Sequence, residues 1–148
     1  MPSQFSPVKM IVEESVHYPI MGPEAMDEWI YSSPYGTGSY RVGPNNRSFY
    51  LTIFHSLHCL RLMRADLHDQ SITPHSLHCL QHLREQILCG ADTTLEPGDF
   101  TTRDFDIDRE GSTHICHSDW REVYAEVNSN WFRHLQYLKA ENLTGMDI

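Results

Sequence analysis

Two identical hexapeptides, His-Ser-Leu-His-Cys-Leu, occupy residues 55–60 and 75–80. An exact six-residue recurrence in a chain of 148 residues is rare by chance, so the pair reads as an internal repeat. The likeness continues weakly: Leu60-Arg61-Leu62-Met63-Arg64 resembles Leu80-Gln81-His82-Leu83-Arg84. On a helix, residues three or four apart share a face. His55, His58 and Cys59 then project together, as do His75, His78 and Cys79. Packed as an antiparallel hairpin, the two segments bring four imidazoles to one small volume. Imidazole suits copper, zinc, iron and nickel. Neither hexapeptide holds Asp or Glu, which argues against a ferritin-like carboxylate di-iron site.

A third element, His114-Ile115-Cys116-His117, follows later in the chain. In an extended segment His114 and Cys116 share one side. His114 is thus a candidate fifth imidazole, and His117 points the other way. His17, His68, His82 and His134 read as ordinary surface or packing histidines. The leucines between the histidines read as core. Cys59, Cys79, Cys89 and Cys116 leave two readings open. As thiolates beside histidine they make a closed structural zinc site. As disulfides they staple a small domain. Equivalent positions on facing helices make a Cys59–Cys79 bridge geometrically reasonable, leaving Cys89 for Cys116.

The elements that must position these groups come next. Residues 1–47 are rich in Pro and Gly and read as an extended N-terminal arm, with one short helix over Glu24–Ile30. Trp29, Tyr35 and Tyr40 in this arm are candidates for the wall of a substrate pocket. Residues 48–67 carry a broad apolar stripe and read as a first hairpin helix. The second has clear boundaries: Thr73 as N-cap, Pro74 in the first turn, Gly90 at the stop. Residues 91–113 read as a long acidic loop, with a short extended piece over Phe100–Ile107. Further helices are predicted over Ser118–Val127 and Trp131–Glu141. The fold class is mainly α: an antiparallel helical hairpin carrying two HxxHC motifs, with long loops and an extended arm. The whole reads as one domain, with residues 48–148 forming its helical, metal-binding, catalytic part.

The formal charge of −9, from 20 acidic and 11 basic residues, comes without any Lys/Arg cluster. Nucleic acid and anionic membrane surfaces are poor partners for such a chain. No segment qualifies as a membrane span or signal peptide. The expectation is a soluble cytoplasmic chain, or a secretory-pathway (endomembrane) lumen if an anchor is missing from it. The sequons Asn46-Arg47-Ser48 and Asn142-Leu143-Thr144 fit the second case.

The ordered set of His55–Cys59, His75–Cys79, Ile87–Glu96 and His114–Trp120 resembles the UstYa-like family of fungal natural-product oxidases, over roughly residues 50–122. The resemblance implies copper-dependent oxidative tailoring of a peptide or small-molecule secondary metabolite, such as a mycotoxin. The reaction types it implies are oxidative cyclisation, hydroxylation, desaturation and halogenation. It implies His55, His58, His75 and His78 as metal ligands, with His114 as an extra one, and turns the cysteines from ligands toward disulfides. Zinc and iron are the alternative metals. The expected mechanism is activation of dioxygen or a related oxidant, then hydrogen abstraction from the substrate. Asp92 is expected either to orient a ligating His or to cap the turn after the second helix; Glu96 and Asp119 are weaker candidates. Members of the family carry a longer chain with an N-terminal membrane helix, and neither is seen here. Competing readings are a redox-neutral cyclase on the same scaffold and a non-catalytic zinc module or partner subunit. Homo- and hetero-oligomers are both left open.

Overall fold

The computed structural model describes residues 5–13, 15–95, 104 and 110–143. Among the described residues, four helices and four strands follow one another. β1 (Val8–Glu13) opens the described region. α1 (Ala25–Tyr31) leads into a short 3-10 turn, Tyr35–Gly38, then β2 (Ser39–Val42) and β3 (Arg47–Tyr50). α2 (Thr52–Asp69) and α3 (Pro74–Gly90) carry the two hexapeptides. β4 (Glu110–Cys116) and α4 (Trp120–Ala140) complete it.

The fold is therefore mixed α/β, which corrects the mainly-α expectation. Two small antiparallel sheets pair β1 with β4 and β2 with β3. The arm expected to be extended, residues 1–47, supplies β1 and β2, with β3 starting at its last residue, while its one short helix, α1, falls close to the expected Glu24–Ile30. β1 hides from sequence reading because its partner β4 is distant, and β2 and β3, a local hairpin, hide because their burial lacks alternation. In β1, Met10, Ile11 and Val12 are all exposed. The β1–β4 register sets Met10 opposite His114 and Val8 opposite Cys116. The extended piece expected at Phe100–Ile107 lies outside the described residues, apart from Asp104.

The second hairpin helix begins where expected. The Thr73 side chain accepts from the Ser76 amide, Ser76 returns the bond to the Thr73 amide, and Pro74 opens the first turn. The two helices expected after residue 118 are instead one. Asn128-Ser129-Asn130 looks like a break because short polar side chains compete for backbone partners. Here those side chains are engaged elsewhere. Asn128 Oδ1 accepts from the Tyr35 amide at 2.9 Å. Asn130 accepts from the Arg41 amide at 2.7 Å and donates to the Arg41 carbonyl at 2.9 Å. The buried Asn130 amide thus serves as a strand partner for β2.

The core is small. Tyr40, Phe54, Val123 and Val127 form it, with Phe5, Leu51, Leu57 and Tyr124 against it. The Phe54 and Tyr124 rings meet edge to face at 4.9 Å, an arrangement that adds to area burial. The expectation that the leucines of the hexapeptides are core holds only for Leu57. Leu60, Leu77 and Leu80 are 40%, 59% and 56% exposed. The reason is that α3 packs chiefly on α2 through the face that buries Ser76 and Cys79, which leaves Leu77 and Leu80, like His75 and His78, exposed.

Candidate metal centre

The antiparallel contact of α2 with α3 gathers five imidazoles. His55 Nε2 lies 3.4 Å from His78 Nε2. The His58 and His75 rings are 5.4 Å apart, and those of His75 and His78 6.2 Å. The fifth ring is His82, centred 3.9 Å from that of His55, with Nε2 3.1 Å from Ser56 Oγ. Sequence reading passed over His82. The signal was present: His75, His78 and His82 follow the three- and four-residue spacing of one helical face.

Burial lowers the pKa of His55, and the facing histidines lower it further. The same holds for His58, through burial first, then the Arg61 guanidinium and His75. Both rings are thereby biased toward the neutral form, whose lone pair a metal needs. The guanidinium of Arg61 donates to His58 Nδ1 at 3.2 Å. A cavity of about 330 Å³ opens on this cluster, lined by Tyr50, Phe54, His55, His58, Arg61 and His75, with Ser33 and Thr37 at its edge.

The donor set fits a metal ion in its chemistry and in its closest spacing. Two nitrogens bound at 2.0–2.1 Å to one tetrahedral ion stand about 3.3 Å apart, close to the 3.4 Å between His55 and His78. The other two rings must turn about their side-chain torsions to join them. Among the described residues no group of three or more His, Cys, Asp or Glu is already closed around one point.

The cysteines sit differently. Cys59 and Cys79 have 0% exposure and meet inside the α2–α3 interface. Burial, with the neighbouring Cys79, pushes the Cys59 thiol up to about 12. Cys89 is exposed and Cys116 partly buried, and all four are thiols.

His114 stands apart from the four imidazoles. Its Nδ1 lies 2.6 Å from Asp92 Oδ2, beyond the far end of α3. At 1.5 Å per residue, Gly90 is about 18 Å along the helix from His78. Asp92 Oδ1 accepts from the Thr94 amide at 2.8 Å and from Thr94 Oγ1 at 2.6 Å. These bonds, Thr94 first and His114 next, hold the Asp92 carboxyl well below the usual carboxylate range. Asp92 therefore both forms the turn after α3 and orients a histidine, but that histidine is not among the four.

The expected aromatic wall is also rearranged. Tyr40 is core, its hydroxyl donating to Glu126 at 2.7 Å. Trp29 donates to the Pro19 carbonyl at 3.1 Å, and Tyr35 packs on Phe132 at 5.4 Å. Tyr50 and Phe54 line the imidazole cavity instead. Asp119 caps α4 and pairs with Arg121. Glu96 lies outside the described residues.

Among the described residues, no helix is long and apolar enough to cross a membrane. A similar curated protein is a UstYa family oxidase, phomYb, of Diaporthe leptostromiformis. It is 28% identical over 125 residues, covering 70% of this chain and 49% of the relative. The chain thus spans about half the length of the curated relative it matches. No solved structure matches the chain. The family model described as mycotoxin biosynthesis protein UstYa matches residues 41–126, which include both hexapeptides and the His114 segment. That match takes in more than half of the chain, which therefore belongs to the UstYa family.

Proposed function

We propose that this chain performs oxidative tailoring of a fungal secondary metabolite, with copper held by His55, His58, His75 and His78. The observation that supports it best is the 3.4 Å approach of His55 Nε2 to His78 Nε2, beside two further imidazoles and an open cavity. The oxidase name of the relative agrees with it. Copper supplies the one-electron chemistry when bound. The chain's residues do the rest. Antiparallel packing of α2 on α3 brings the four rings onto one side of the hairpin, and burial biases His55 and His58 toward the unprotonated form. The His82 ring lies tilted against that of His55, 3.9 Å between centroids, and limits its rotation. Tyr50 and Phe54 offer an apolar wall to the substrate, and Arg61 offers a cation to an acidic group on it. In this reading Cys59 and Cys79, facing thiols in this structure, are the pair whose two-electron oxidation to a disulfide would lock the register of the two histidine helices.

The test is copper uptake by purified protein, followed by elemental analysis and electron paramagnetic resonance. Copper should survive desalting in the wild type. Its affinity should fall at least tenfold in His55→Ala and in His78→Ala, the range seen even for groups that merely support a ligand. Zinc retention with no copper uptake would refute the proposal and favour a structural module.

A further inference from the structure

A second cavity adjoins the imidazole cavity. It measures about 480 Å³, and Thr37 and Tyr50 line both. Its floor is one face of the β2–β3 hairpin. Ser39 stands opposite Tyr50 and Arg41 opposite Ser48, and alternation puts these four side chains on one side of the sheet. Its wall is the Trp131 indole of α4. Tyr50 marks the end near the imidazoles. Arg41 lies two residues further along the hairpin, roughly 7 Å away at about 3.4 Å per residue.

The far end is held in place. Asn130 accepts from the Arg41 amide at 2.7 Å and donates to its carbonyl at 2.9 Å. The next residue, Trp131, packs against Gly36, where an added Cβ would run into the indole. The Ser39 and Ser48 hydroxyls bond each other at 3.0 Å, which uses one of their two protons. Arg41 is half-buried and its Nε is buried. A guanidinium partly withdrawn from water favours a carboxylate, which its planar fork meets with two parallel hydrogen bonds. The indole beside it offers a flat apolar face. In a chain of formal charge −9, each of the two cavities thus presents a guanidinium, Arg61 in one and Arg41 in the other.

We propose that the two cavities form one substrate groove. Arg41 anchors a carboxylate, Trp131 covers an adjoining aromatic or other flat apolar group, and the rest of the molecule crosses Thr37 and Tyr50 to reach the imidazoles. The second hydroxyl proton of the Ser39–Ser48 pair goes to the same carboxylate. The substrate class is an elongated organic acid, and its anchored end decides which part of it meets the metal-binding rings. The proposal rests on the functional reading only in taking those rings as the reactive end.

Isothermal titration calorimetry on metal-free protein tests the anchor, with 3-phenylpropionate and its neutral counterpart 3-phenylpropanamide as probes. The wild type should bind the acid at least tenfold more tightly than the amide. Arg41→Gln should remove that preference. Arg41→Lys should keep part of it, since an ammonium retains the charge without the fork. Arg47→Gln, on the opposite face of the same hairpin, should leave it unchanged. Circular dichroism and urea midpoints check that each variant is folded. The longer acid 8-phenyloctanoate should shift the ring-proton NMR signals of His58 and His75 in the wild type and not in Arg41→Gln. Equal affinity of the wild type for acid and amide would overturn the proposal without any variant. So would an acid preference that survives in folded Arg41→Gln, or histidine signals unmoved by the longer acid. Failure of copper uptake would leave these results untouched, since every measurement is made without metal, and loss of the acid preference would leave the copper proposal standing.

Discussion

Gly38→Ala probes how the N-terminal segment supports the metal centre. Gly38 has φ +86°, in the left-handed region, and that conformation costs a residue with a Cβ about 1–2 kcal/mol. An added Cβ would also stand 2.6 Å from Phe54 Cγ and nearer still to its Cβ. Phe54 is 2% exposed and adjoins His55, so it cannot retreat into solvent. Overpacking of this kind adds about 1–3 kcal/mol, for a total of about 2–5 kcal/mol. Gly43→Ala is the internal control. Its φ is +77°, but an added Cβ meets nothing within 4 Å, so only the backbone part, about 1–2 kcal/mol, should appear. Urea denaturation of both variants, compared at constant m-value, measures the difference. Copper affinity should fall in Gly38→Ala and not in Gly43→Ala, because only the first pushes on the residue beside His55. Equal midpoints for the two variants would refute the close packing of Phe54 on the turn. Equal destabilisation with unchanged copper affinity would refute the link from turn to metal centre.

Asn130→Ala should cost about 2–6 kcal/mol, because it leaves both the amide and the carbonyl of Arg41 without their Asn130 partner, at about 1–3 kcal/mol each. Asn130→Asp keeps the acceptor and should cost less; the urea midpoints of the two variants decide. Acid should destabilise the fold in a first step that begins near pH 6.5. His55 and His58 resist protonation when folded, whereas the unfolded chain takes up protons at the ordinary histidine value. Their contribution is present above that pH and lost as pH falls through the lowered folded values. A urea midpoint series from pH 8 to pH 5 should slope downward, and less steeply in His55→Asn/His58→Asn. At the alkaline end, burial raises Tyr40 and Tyr124, so stability should also decline as pH rises past 10.

The sequence by itself determined the hairpin and its imidazoles. Repeat and helical spacing are local properties, so His55, His58, His75 and His78 were assignable to one face pair without coordinates. The start of α3 was legible for the same reason, since Thr73 and Pro74 act on the turn they begin. Tertiary structure decided whatever depends on distant partners. Asn130 lies within a helix because Arg41, far away in sequence, satisfies its amide. β1 is a strand because β4 pairs with it across the whole chain, and its exposed side chains leave no alternation to read. His82 joins the cluster because of where α2 lies, and Tyr40 leaves the candidate pocket because Glu126 captures its hydroxyl in the core. The same dependence separates His114 from the other four imidazoles. Spacing along a strand says which side a ring takes, but only packing at the far end of α3 says which neighbour it meets, and that neighbour is Asp92.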